Sequence, residues 1–250
     1  MKKEILVIIA AFFLLSLTAI TGVYAIEKDS VVTISENKAD VTGDGVNETI
    51  YLKGIPYEDE DSYLKTVYVE VGGPDEKMVK IPLESGSKAS LQLVDVNHDG
   101  VKDLFASVQT GDSSGTIYFL STLKDFKNTP LQVPAPLEVE SRFLNGYKAE
   151  IKIEETGKTY QFNLKDRKKY YKNLGLYYNG MLNESTELTV NPFSTLKPTL
   201  INGVMGLKGI QVVTGIANAD TIADIESLWL FKGGKWSLVT TKVQTEIQSN

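Results

Sequence analysis

The alternation of polar and apolar positions along the chain is that of β-strands. Val31-Val32-Thr33-Ile34, Thr66-Val67-Tyr68-Val69-Glu70-Val71, Ser90-Leu91-Gln92-Leu93-Val94 and Thr116-Ile117-Tyr118-Phe119-Leu120 are short runs rich in β-branched and aromatic residues. Such runs bury one face and solvate the other. Residues 147–153, 159–164, 209–214, 225–231 and 236–241 read the same way. Lys232-Gly233-Gly234-Lys235 is a hairpin turn, because a two-residue hairpin loop favours residues that accept positive φ. Residues 166–173 read as a short helix or a basic turn, their charge run a solvated face before it is an anion site. Residues 129–136 carry three prolines and read as a linker or crossing, with a soft boundary there. Asn191-Pro192-Phe193 and Lys197-Pro198 are further loop marks. The pattern predicts an all-β fold of antiparallel strands.

Between these runs stands a motif with its own chemistry. Residues 95–103 read Asp95-Val96-Asn97-His98-Asp99-Gly100-Val101-Lys102-Asp103. Oxygen-bearing side chains fall at positions 1, 3, 5 and 9, with glycine at position 6. That is the ligand spacing of a calcium loop. Ca²⁺ takes six to eight oxygens, and side chains at alternate positions of a tight loop converge on one centre. The backbone carbonyl of position 7, Val101, adds another oxygen, and the glycine permits the sharp turn. A degraded copy lies 55 residues earlier, Asp40-Val41-Thr42-Gly43-Asp44-Gly45-Val46-Asn47-Glu48. It carries Thr42 at position 3, Val46 at position 7 and Glu48 at position 9. A hydroxyl is a weaker ligand than a carboxylate, so the first loop should bind more weakly. Asp-Gly alone would signal only a turn; four ligand positions in register, twice, point to metal. An EF-hand needs a bidentate Glu at position 12 and flanking helices. Position 12 is Tyr51 or Ala106, and β-formers follow both loops. These are strand–loop–strand sites.

Carried by residues 93–104, and more weakly by 39–50, the chain resembles the FG-GAP/VCBS repeat family of integrin-type β-propeller blades. The resemblance implies Ca²⁺ held by Asp95, Asn97, Asp99, the Val101 carbonyl and Asp103, and by Asp40, Thr42, Asp44, the Val46 carbonyl and Glu48. It also implies propeller-like blades. No Phe-Gly-Gly-Ala-Pro-like segment and no third intact loop is present, so the implied propeller is incomplete or small. The C-terminal part, with Gly206-Leu207-Lys208-Gly209 and Ser227-Leu228-Trp229-Leu230-Phe231, resembles uncharacterised secreted proteins of Bacillus-type bacteria.

The N-terminus changes the setting. Lys2 and Lys3 precede an apolar run over residues 5–17, and Val23-Tyr24-Ala25 offers small residues at −3 and −1. This is a secretory signal peptide with cleavage after Ala25; an uncleaved signal anchor is the rival reading. The organisation is therefore a signal peptide over 1–25, two calcium-loop units over 26–134 and a β-rich region over 135–250. The expected product is secreted, at the envelope of a Gram-positive-type bacterium, and not an integral membrane protein after cleavage. There is no cysteine, which removes disulfides, thiol catalysis and lipoprotein processing. Extracellular calcium is a substitute staple. The formal charge of −6 argues against nucleic acid and other anionic polymers as ligands.

Catalysis has little to rest on. His98 is the single histidine; it sits at the free fourth position of the second loop, so a Ser-His-Asp triad would have to use it. Asp59-Glu60-Asp61 reads as an exposed acidic loop, and Thr110-Gly111-Asp112-Ser113-Ser114-Gly115 as a hairpin loop without Gly-x-Ser-x-Gly. Trp229 and Trp236 read as core and edge packing ahead of a carbohydrate-stacking platform. The expected function is a calcium-binding surface module for a protein or glycan ligand, with no chemistry of its own. The alternative is a secreted glycan- or peptide-directed hydrolase on a calcium-stabilised β scaffold.

Overall fold

Consecutive strands pair with one another, so each main sheet is a meander in chain order. The structure is a computed structural model and describes residues 30–58, 62–73, 76–111 and 115–245. The expected signal segment with its expected cleavage point, Asp59-Glu60-Asp61 and Asp112-Ser113-Ser114 lie outside the described residues. The first sheet is β1 (Val32–Ala39), β2 (Glu48–Pro56), β3 (Leu64–Gly72) and β4 (Met78–Leu83). The second is β5 (Ser87–Val94), β6 (Asp103–Gln109), β7 (Thr116–Thr122) and β8 (Thr129–Leu131). The third is β9 (Val139–Leu144), β10 (Lys148–Ile153) and β11 (Lys158–Asn163). A 3₁₀ turn (Lys165–Arg167), helix α1 (Lys168–Asn173) and the hairpin β12 (Tyr177–Tyr178) and β13 (Met181–Leu182) follow. The last sheet is β14 (Thr189–Ile201), β15 (Val204–Thr214), β16 (Thr221–Lys232) and β17 (Lys235–Thr245). Every pairing is antiparallel, and the protein is all-β, with one short α-helix among the described residues.

The period-2 pattern explains the faces. Along β2, Glu48, Ile50, Leu52, Gly54 and Pro56 are buried, and the residues between them are half-exposed. The turn at Gly233-Gly234 has φ of +56° and +81°, and Lys232 pairs with Lys235. Asn179-Gly180 and Asn202-Gly203 form two-residue hairpin loops of the same kind, with both φ positive.

One expectation is overturned. Asn191-Pro192 and Lys197-Pro198 do not mark loops; they lie inside β14. β14 is an edge strand, and its register slips between Val190 and Phe193 and again before Thr195. A bulge and a free edge are the two places where a strand accepts proline without losing a ladder bond.

Three apolar clusters fill the described unit. One joins sheet one to sheet two through Ile50, Leu52, Val69, Leu104 and Val108. Another packs sheet three, α1 and the last sheet around Phe143, Ile151, Tyr171, Tyr177, Ile225 and Trp229. The third unites Val96, Phe105 and Leu120 with Phe193, Leu196 and Leu207. It bridges the proline-rich crossing at 129–136. Polar ties reinforce it: Leu196 N donates to Tyr118 Oη (2.9 Å), and Trp236 Nε1 donates to the Gln132 carbonyl (2.6 Å). Gln211 is buried, and its side chain both accepts from Leu137 N and donates to the Leu137 carbonyl.

Candidate functional site

The two Asp-rich loops hold equivalent places. Residues 40–48 join β1 to β2, and residues 95–103 join β5 to β6. In each, the ninth residue opens the following strand with a buried carboxylate, Glu48 or Asp103. Its partner is the backbone N–H of position 2: Val41 N donates to Glu48 Oε2 (3.0 Å), and Val96 N to Asp103 Oδ2 (3.0 Å). Position 6 donates to position 1 in both: Gly45 N to Asp40 Oδ2 (2.9 Å) and Gly100 N to Asp95 Oδ2 (3.0 Å). Position 7 donates to position 5 in both: Val46 N to Asp44 Oδ1 (2.8 Å) and Val101 N to Asp99 Oδ1 (3.0 Å). Gly45 and Gly100 have φ of +84° and +86°, a conformation that glycine adopts without a Cβ penalty. The internal copy inferred from spacing is thus a copy in hydrogen bonding too.

The loops differ in how far their own backbone satisfies their charge. Asp40 accepts from Thr42 N, Gly43 N and Gly45 N. These bonds, Gly43 first, hold its carboxyl below the ordinary range. Thr42 spends its hydroxyl on Glu48 Oε1 (3.4 Å). In the second loop Asp95 Oδ1 is buried without a hydrogen-bond partner. Asp103 is fully buried, and burial pushes it up to about 6. The N–H groups of Val96 and Asn97 oppose that rise, and the carboxylates of Asp99 and Asp95 add to it. Asn97 holds both neighbours, its Nδ2 on Asp103 Oδ1 (3.2 Å) and its Oδ1 accepting from Asp99 N (2.9 Å). An orphaned buried oxygen and a carboxylate short of positive charge are what a cation would relieve. The donor set, all oxygen, suits a hard ion. The carboxylates are turned onto backbone N–H groups, and among the described residues no group of three or more His, Asp or Glu side chains is drawn together as a metal cluster.

The loops are also neighbours. A methyl on Gly43 would stand 2.9 Å from Val101 Cγ2, and Asp125 N donates to the Thr42 carbonyl (3.0 Å). Val101 is buried where Val46 is exposed. His98 is tied rather than free: with φ of +63° it turns its ring to β15, where Nε2 donates to the Met205 carbonyl (2.7 Å).

A second polar constellation escaped the sequence reading. Arg167 Nη1 and the Tyr171 hydroxyl both donate to Asp220, the latter at 2.7 Å. Tyr171 is fully buried and Asp220 nearly so. Burial first, then the Asp220 carboxylate, push the phenol well above its ordinary value. This network fastens α1 to the β15–β16 connection. Fifty-three residues separate the partners, and no local spacing announces them.

Elsewhere, a polar cleft of about 680 Å³ on sheet three is lined by Glu140, Arg142, Glu150, Lys152 and Glu187 among others. Hydrogen bonds from Gln161 and then Arg142 hold the Glu150 carboxyl below its usual range. Trp229 is buried with Nε1 on Ser227 Oγ (2.9 Å), and Trp236 packs edge-on to Phe231 at 5.2 Å. Both indoles serve packing, core and edge respectively. Among the described residues no helix is long and apolar enough to cross a membrane.

Fold and loops together define an all-β protein of antiparallel meanders with a duplicated acidic loop. Residues 137–244, from the third sheet to the end of the last, match the family described as YybI C-terminal domain. The chain is 28% identical over 213 residues, 81% of its own length and 81% of the relative's, to the Bacillus subtilis (strain 168) protein described as "Uncharacterized protein YybI". No solved structure matches.

Proposed function

We propose that the chain is a secreted or cell-surface protein whose two loops bind Ca²⁺ and staple its sheets. It acts as a binding or structural module for a protein or glycan ligand. The observation that carries this reading is the shared hydrogen-bond lattice of residues 40–48 and 95–103, together with the orphaned Asp95 oxygen. In the second loop Asp95, Asn97, Asp99, Asp103 and the Val101 carbonyl would hold the ion. In the first, Asp40, Thr42, Asp44, Glu48 and the Val46 carbonyl would do so. The ion supplies positive charge where carboxylates crowd, and joins the ends of two strands.

The likeness to FG-GAP/VCBS blades is supported by three four-stranded meanders and by loops placed between the first and second strands of a sheet. Hydrogen bonds that lower the Glu150 carboxyl make that residue ill suited to the general-acid role that the hydrolase alternative would need in that cleft.

Calorimetry and native mass spectrometry, with and without chelator, test the reading. Two ions should bind, the second loop more tightly. Asp99→Ala should remove most of the calcium response and Asp44→Ala a smaller share. Identical melting curves in calcium and chelator, with no bound metal, would reduce both loops to ordinary turns. Secretion is tested by N-terminal sequencing of culture supernatant, where Ile26 should be first.

A further inference from the structure

The whole-chain charge of −6 hides a basic lobe. From Leu164 to Asn183 the chain carries Lys165, Arg167, Lys168, Lys169 and Lys172 against Asp166 alone. Arg167 is spent on Asp220, but all four lysines are exposed, as is Lys148 on the adjoining strand. Lys168 Nζ lies 5.6 Å from the Tyr147 ring, which places α1 beside the turn that opens β10.

The hairpin beside α1 has two unlike faces. Tyr177 and Leu182 pair across it and turn inward; Tyr177 packs 4.5 Å from Tyr147 and 6.3 Å from Tyr171. Tyr178 and Met181 are the other cross-strand pair, so they stand side by side. They are 69% and 57% exposed. Leu174 and Tyr170, at the end of α1, are 49% and 40% exposed. Asn183 Nδ2 donates to the Gly175 carbonyl and Gly146 N to the Gly180 carbonyl (2.7 Å). Helix end, hairpin and turn are thus fastened together, so that one lobe presents both exposed apolar side chains and exposed lysines.

We propose that this lobe docks on the surface of an anionic phospholipid bilayer. Charge chooses the sign of the partner: lysines near an anionic leaflet each contribute to binding. The tip chooses a bilayer over a soluble polyanion. Tyr178 has an apolar ring and a polar end, which suits the headgroup level. Met181 and Leu174 offer apolar surface that a polyphosphate or acidic peptide in water would leave exposed. Lysine stems lie along apolar surface while their ammonium groups stay at the phosphates. The proposal stands independently of calcium at the two loops.

The test is co-sedimentation of the full mature chain with vesicles, run in EDTA so that calcium cannot bridge protein and lipid. Vesicles of phosphatidylcholine with about one-third phosphatidylglycerol should bind the protein, and pure phosphatidylcholine should not. Raising salt from about 0.1 M to about 0.5 M should weaken binding several-fold. Lys168→Ser with Lys169→Ser should weaken it roughly tenfold or more. Tyr178→Ser with Met181→Ser should weaken it to a similar extent with charge unchanged. All four side chains are exposed, so circular dichroism should match that of the parent chain. No binding to the anionic vesicles overturns the proposal, as does equal binding to neutral ones. Soluble polyphosphate competing as well as vesicles do, with the Tyr178/Met181 variant unimpaired, assigns the lobe to a soluble polyanion instead.

Discussion

At the scale of one residue, Asp103 carries the electrostatic argument for the proposed ion in the second loop. It is fully buried and raised to about 6 from an ordinary value of 3.8. The folded state therefore holds a proton that the unfolded chain releases between those two pH values. Stability without calcium should fall as pH rises through that window, by about 3 kcal/mol at most, and stay low above it. Asp103→Asn removes the charge at the cost of one hydrogen bond to Asn97, worth about 1 kcal/mol. In chelator at pH 7.5 the variant should be more stable than the parent by about 1–2 kcal/mol, the advantage vanishing near pH 4. In calcium the order should reverse, because the variant would lack one of the proposed ligands. Urea unfolding at the two pH values, with and without calcium, reads all four states. A parent stability that does not change between pH 4 and 6 in chelator would remove the argument. The two loops and their shared oxygen spacing were legible in the sequence, since a spacing along nine residues is a local property. What the backbone does with each oxygen was not: nothing in Asp-x-Asn versus Asp-x-Thr says that Thr42 is spent on Glu48 while Asp95 Oδ1 is left alone.

At the scale of elements, strands with period-2 runs declared themselves, and strands carrying proline did not. β14 spans thirteen residues with Pro192 and Pro198 inside it, and proline reads as a break unless one knows the strand is an edge. The Asn-Gly pairs at 179–180 and 202–203 were a usable signal for β12–β13 and β14–β15, being of the kind that two-residue hairpin loops demand. α1 is legible as a basic segment, but six residues do not make a stable helix in isolation. Its stability comes from Tyr171 in the core and from Asp220 beyond the last residue of β15. Asp220→Ala leaves a largely buried guanidinium and a buried phenol without their acceptor. It should cost about 3 kcal/mol, where Tyr171→Phe, losing one hydrogen bond, should cost about 1–2 kcal/mol. Guanidinium unfolding of the two variants checks the ranking. Gly215 is held to its residue type by the same network, for a methyl there would stand 2.0 Å from Asp220 Oδ2.

For the whole described unit, the consequential fact is where the second loop's own apolar residue goes. Val96, at position 2 between Asp95 and Asn97, is fully buried with Phe193, Leu196 and Leu207 of the last sheet. His98 fastens the same loop to Met205. The pattern of the sequence placed a soft boundary near residue 134, because three prolines look like a seam. No periodicity tells that the cores on either side share residues. Ion binding between β5 and β6 should therefore be felt in β15 and β16. The protein offers a built-in reporter: its two tryptophans, Trp229 and Trp236, both lie in the last sheet. At millimolar calcium a site with Kd near ~10⁻⁴–10⁻³ M adds about 1 kcal/mol. In a chain of this size that shifts the melting temperature by about 2–4 °C. Tryptophan fluorescence and far-UV circular dichroism should show the same midpoint and the same calcium shift. Asp99→Ala should remove most of the shift in both signals. Val96→Ala should lower the midpoint and separate the two probes. A calcium shift seen by circular dichroism while the tryptophan midpoint stays fixed in the parent chain would mean that the two halves melt apart, and that the shared core does not carry the loop's energy across the crossing.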